Sequence, residues 1–171
     1  DADGVVAGDQ GKNRRPHDHN RDYLEAIYNG VRAVKEIAEK GDVLAVFDLH
    51  SPWHISGRND KVFCVRNSEK KLDDMRLFGR CFEESITPDA MKYDTKNDID
   101  PGVEWNVGRE RTSCGTYCRD IPGVELAFTL ETTYFGESGN VVSQDRLVET
   151  GRCFLEGFRK YLIRKGMEKT I

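Results

Sequence analysis

Three clusters of side chains in this chain could do chemistry. The first follows the apolar run Val43-Leu44-Ala45-Val46-Phe47, where Asp48, His50, Ser51 and His54 arrive within a few residues. A histidine leaving a strand end is well placed to ligate a metal. The second is the basic stretch Arg14-Arg15-Pro16-His17-Asp18-His19-Asn20-Arg21. A guanidinium offers a planar fork that matches a carboxylate, so three arginines beside an asparagine suit a carboxylate ligand. The third is Glu131, which ends the apolar run Val124 to Leu130 and could face the same crevice as His50. Each cluster also has a plainer reading. His50 can be satisfied by a neighbouring carboxylate at a polar strand exit. The basic stretch can be a solvated loop, and Glu131 an edge residue or salt-bridge partner.

The elements that must position these groups follow from periodicity. Residues 43–49 read as a strand buried on both faces, stopped by Pro52. Lys61 to Val65 and Val124 to Leu130 read as further strands. Apolar stripes predict helices over 22–40, 68–86 and 143–165, with Ser68 as a cap of the second and Gly166 closing the third. Residues 1–21 read as extended loop, because Gly, Pro and Asn dominate. Residues 87–123 read as a long irregular segment and a candidate pocket wall, with Trp105, Arg109, Arg111, Tyr117 and Arg119. The alternation predicts an α/β fold, a mixed β-sheet sandwiched by helices, in a single domain over 1–171.

Composition narrows the classes. The chain has 171 residues, enough for one sizeable core. A net charge of −4 gives no electrostatic case for nucleic acid or an anionic membrane. No apolar run approaches the roughly 20 residues of a membrane span. Five cysteines form no dense framework, which favours a reducing, cytoplasmic compartment. Cys114 and Cys118 could bind metal or form a local disulfide, although two such thiols are more usually structural.

Three separated pieces resemble one family in order. Asp18-His19-Asn20-Arg21, Asp48-Leu49-His50-Ser51 and Phe128-Thr129-Leu130-Glu131-Thr132-Thr133-Tyr134-Phe135-Gly136 resemble the zinc metallocarboxypeptidases. The last segment is more similar to the cytosolic branch than to the pancreatic one. Asp3-Gly4-Val5 resembles the loop that precedes the Asp-x-Asn-Arg segment in that family. The resemblance implies roles. His50 is a zinc ligand, and Glu131 the general base and acid. Asn20 and Arg21 bind the substrate's terminal carboxylate, with Tyr117 a candidate capping tyrosine. Asp18 orients a zinc-bound histidine, and Arg14 or Arg15 steadies the oxyanion. Arg109, Arg111 and Arg119 hint at an acidic substrate side chain, with surface arginine as the plain alternative. The implied partner is a peptide or protein C-terminus. Oligomeric state is not legible.

One departure matters. The family's first two zinc ligands come from a His-x-x-Glu motif, and no such motif occurs in this chain. A catalytic zinc takes three protein ligands and an open position. The expectation is a chain supplying the C-terminal part of a larger domain. Its full-length form would bind one zinc with two ligands upstream of Asp1, and the fragment alone would be inactive. His17 and His19 could in principle substitute as ligands. The alternatives are a metal-free carboxylate-binding relative and a zinc-dependent deacylase of small N-acyl amino acids.

Overall fold

The computed structural model describes residues 2–8, 11, 14–53, 55–107 and 112–167. The fold is α/β: a mixed sheet with helices. Its strands are β1 (Ala45–His50), β2 (Phe63–Arg66) and β3 (Leu126–Glu131), in the order β1-β3-β2. β2 runs antiparallel to β3, with Phe63 opposite Glu131 and Arg66 opposite Phe128. β1 runs parallel to β3. The Leu126 N–H reaches the Leu44 carbonyl at one end, and the Thr132 N–H reaches the His50 carbonyl at the other. In a parallel ladder the second bond pairs His50 with Glu131; at the other end the Leu44 carbonyl is shared, taking the Glu125 N–H at 2.8 Å as well as the Leu126 N–H at 3.4 Å. A hairpin of β4 (Gly136–Glu137) and β5 (Asn140–Val141) follows β3. The helices are α1 (Ala2–Ala7), α2 (Asn29–Ala38), α3 (Leu72–Glu83), α4 (Cys114–Cys118) and α5 (Gln144–Arg164). No helix among the described residues is long and apolar enough to cross a membrane.

The chain groups into two compact units, residues 1–48 with 108–127, and residues 49–107 with 128–171. In the first, Val31 and Ala38 of α2, Tyr23, Cys114, Cys118, Ile121, Val124 and Ala127 make one apolar cluster. In the second, α3 and α5 pack together and cover one face of β3. Phe78 lies 5.0 Å from Phe128 and 5.0 Å from Phe154 between ring centroids. The other face carries Phe63, Val65 and Ile99. α3 and α5 approach closely at Gly157, where a Cβ would stand 2.6 Å from the Phe82 Cα. Backbone cannot step aside as a flexible side chain does. Gly157→Ala is therefore expected to lower stability by about 1–3 kcal/mol by overpacking, despite alanine's better helix propensity. Urea unfolding of the two proteins measures it, and an unchanged midpoint would show that the helices can separate without cost.

Several elements differ from the periodicity reading, each for a local reason. The helix expected over 22–40 begins at Asn29. The Asp22 carboxylate takes the N–H groups of Ile27 and Tyr28 at 3.1 and 2.8 Å. Ala26 adopts φ +53, so the chain turns before it coils. α3 begins at Leu72, because Ser68 caps the turn before it by accepting the Lys71 N–H. Residues 2–7, expected as loop, are helical. The stretch expected to be irregular contains α4, started by a reciprocal Ser113–Thr116 capping box. It also contains a segment fastened along β2, through Ile99 N–H to the Cys64 carbonyl and Arg66 N–H to the Ile99 carbonyl, both 2.9 Å. α5 ends as expected. Gly166 at φ +69 and Met167 return N–H groups to Ile163 and Leu162.

Candidate functional site

The carboxyl ends of β1 and β3 lie side by side. Thr132 bonds the His50 carbonyl twice, through its N–H at 2.8 Å and its hydroxyl at 3.1 Å. Registered partners on adjacent strands point to the same face, with strands about 4.8 Å apart. The side chains of His50 and Glu131 therefore leave one face as neighbours. Glu131 is buried and His50 half-buried. Phe63 flanks Glu131 on its other side. An imidazole and a carboxylate side by side in a partly desolvated strand end can hold and pass a proton, or share a cation.

In the first unit, Asp22 organises the loop that carries the basic motif. Besides Ile27 and Tyr28, its carboxylate meets His17 Nε2 at 2.9 Å, and its side chain is fully buried. Burial opposes ionisation, but the Tyr28 N–H, His17 and the Ile27 N–H outweigh it and hold the carboxyl below the usual range. The Tyr28 hydroxyl bonds the Arg15 and His17 carbonyls at 3.0 and 2.7 Å. The His19 ring stacks on Tyr28 at 4.0 Å. Both histidines are thus built into the loop's own framework.

Within that framework Asn20 is oriented by α4. Its Oδ1 accepts the Cys114 N–H at 2.8 Å, which turns the donor end of the amide away from the helix. Arg21 is exposed, with Nη1 on the Asn20 carbonyl at 2.8 Å. Arg14 closes a turn onto the Gly11 carbonyl, and Arg15 is exposed. Asp18 Oδ1 is buried without a hydrogen-bond partner among the described residues. The Tyr117 hydroxyl bonds Glu39, and Lys35 Nζ stands 4.5 Å over its ring. Arg119 pairs with Asp120 at 3.6 Å. His54, Arg109 and Arg111 lie outside the described residues. Sequence reasoning missed two organisers, Asp22 and Thr132. Thr132 acts through a backbone carbonyl, and Asp22 through two backbone N–H groups as well as His17, bonds that no side-chain pattern reveals.

In α4, a hydrogen bond with Cys118, together with burial, pushes the Cys114 thiol up. Among the described residues no three His, Cys, Asp or Glu side chains converge as a metal site. His50 is one donor where a hydrolytic zinc takes three. The described residues therefore do not by themselves fit a zinc centre.

No family model matches the sequence, and no curated protein matches it significantly. Among solved structures, the chain is similar to a metallo-carboxypeptidase from Burkholderia cenocepacia, with a TM-score of 0.73. Identity is 16%, over 95% of this chain and 43% of that one. A Burkholderia mallei protein assigned as a carboxypeptidase gives 0.69 at 17% identity, with the same coverage. At such identities the likeness is one of fold. The chain spans less than half the length of either neighbour.

Proposed function

We propose that the full-length protein is a zinc-dependent carboxypeptidase that hydrolyses the last residue from a peptide or protein C-terminus. The supporting observation is the registered pair His50 and Glu131 at adjacent strand ends, in a fold shared with metallo-carboxypeptidases. Glu131 takes a proton from the attacking water and later delivers one to the leaving amine. Asn20 and Arg21 read the free carboxylate, and the amide orientation imposed by Cys114 suits Asn20 to donate. Arg14 or Arg15 steadies the developing oxyanion, and Tyr117 caps the bound residue. His50 is one zinc ligand, with the remaining ligands supplied from outside the described residues. The Asp18 oxygen suits a carboxylate that receives an imidazole N–H from such a ligand. The five buried thiols accord with a reducing, cytoplasmic compartment.

The test compares free and C-terminally amidated peptides with the full-length protein. Free peptides are expected to be cleaved and amidated ones to be poor substrates. Arg21→Ala is expected to raise KM for free peptides by about tenfold or more, the loss expected for a charge-assisted contact. Equal cleavage of amidated peptides would remove carboxylate recognition from the proposal. Preference for small N-acyl amino acids over peptides would move the activity to a deacylase.

A further inference from the structure

We infer that Asp22 is a positioning residue for carboxylate recognition: it meets no substrate itself, but through the loop it holds it sets where Arg21 stands. This rests on the reading of Asn20 and Arg21 as the pair that takes the substrate's free carboxylate. Both residues lie in one short turn, His19–Arg21. A turn this short does not hold itself, because its hydrogen bonds are few and poorly aligned. They include Arg21 N–H to the Asp18 carbonyl at 3.0 Å and Asp22 N–H to the His19 carbonyl at 3.2 Å. The Asp22 carboxylate draws the two flanks of this turn together. Upstream, His17 Nε2 lies 2.9 Å from its Oδ1. Downstream, the Ile27 N–H bonds the same oxygen at 3.1 Å, and the Tyr28 N–H bonds Oδ2 at 2.8 Å. Residues on both sides of the turn are thus fastened to one fully buried side chain.

The group that gathers the loop is an anion. Burial opposes its ionisation, but the Tyr28 N–H, His17 and the Ile27 N–H hold the carboxyl below the usual range. An amide of the same size does not replace it. A single amide oxygen keeps either the Tyr28 N–H or the contacts at Oδ1, and the NH2 group turns a donor towards the donors that remain. Asn20 and Arg21 depend on this anion unequally. Asn20 has a second anchor, the Cys114 N–H on its Oδ1 at 2.8 Å. Arg21 is exposed, and its Nη1 bonds the Asn20 carbonyl within the same turn. Where the guanidinium projects therefore follows the turn, and the turn follows Asp22.

The test uses steady-state kinetics of the full-length protein on peptides with free or amidated C-termini. Asp22→Asn is expected to raise KM for free peptides by about three- to tenfold, up to the effect of losing Arg21, with kcat within about twofold of wild type. Added to Arg21→Ala, it is expected to change KM by less than about twofold further, because it acts through a group already removed. His17→Ala releases only the upstream flank and is expected to raise KM by about threefold, again sparing kcat. It carries the test, alone and combined with Arg21→Ala, if Asp22→Asn does not fold. An unchanged KM in the variants that fold would overturn the role. So would a KM increase that multiplies with that of Arg21→Ala, or a fall in kcat at unchanged KM; either would leave Asp22 a support of the fold. Absence of hydrolysis by the wild type, or equal cleavage of amidated peptides, would instead overturn the carboxylate reading, and the positioning role with it.

Discussion

Under the role proposed for Glu131, Glu131→Gln lowers kcat of the full-length protein by about 100-fold or more, the range for losing a general base. KM for a peptide with a free C-terminus is expected to change little. Glutamine keeps the size of the side chain and loses only the ability to accept and return the proton. The residue is buried at a strand end between Phe63 and the His50 strand, so an isosteric change leaves the packing in place. A loss confined to kcat is the signature of an interaction made only in the transition state. Steady-state kinetics of the two proteins check this. Turnover within threefold of wild type would exclude Glu131 as the proton carrier. A parallel rise in KM would make it a binding residue instead.

What the sequence made legible divides by mechanism. β3 and α5 declare themselves, because burial imposes periodicity and few local interactions compete. β1 shows as an apolar, β-branched run, but it was expected to be buried on both faces and is half-buried, with Leu49 exposed, because it stands at the edge of the order β1-β3-β2. The reading failed where a side chain bonds backbone. Residues 22–28 have a helical stripe, yet Leu24 and Ile27 are exposed, because two N–H groups go to the Asp22 carboxylate instead of a helical ladder. The segment around Ile99 pairs with β2 through backbone and buried charge, and such pairing leaves no alternation to read. The pair at the ends of β1 and β3 was legible as two short motifs, Asp48 to Ser51 and Phe128 to Gly136. Its register was not, because pairing His50 with Glu131 depends on hydrogen bonds between positions 82 apart.

Arg66→Met is expected to cost about 3–5 kcal/mol, as removing one partner of a buried ion pair does. Arg66 holds Asp98 at 2.5 Å and Asp100 at 2.6 Å, and the Asp98 side chain is fully buried. Asp98 also receives the Tyr93 hydroxyl at 2.6 Å and the Cys64 N–H at 2.7 Å. Burial pushes the Asp98 carboxyl up to about 6, against the lowering by Arg66, Tyr93 and the Cys64 N–H. In the wild type the folded protein therefore binds a proton more tightly here than the unfolded chain does. The resulting stabilisation is complete at low pH and falls as pH rises through about 6. Without Arg66 the strongest lowering influence is gone, so the carboxyl moves further up. At pH 5 the variant's Asp98 is protonated and its burial costs little. At pH 8 it must ionise without its partner or hold a proton against the solution. The loss of stability is therefore expected to be larger at pH 8 than at pH 5, and Asp98→Asn added to Arg66→Met should recover part of it. Urea unfolding of the single and double variants at both pH values measures these terms. A loss of the same size at pH 5 and pH 8, unrelieved by asparagine, would mean that Arg66 stabilises through its packing and its bond to Asp100, and not by neutralising Asp98.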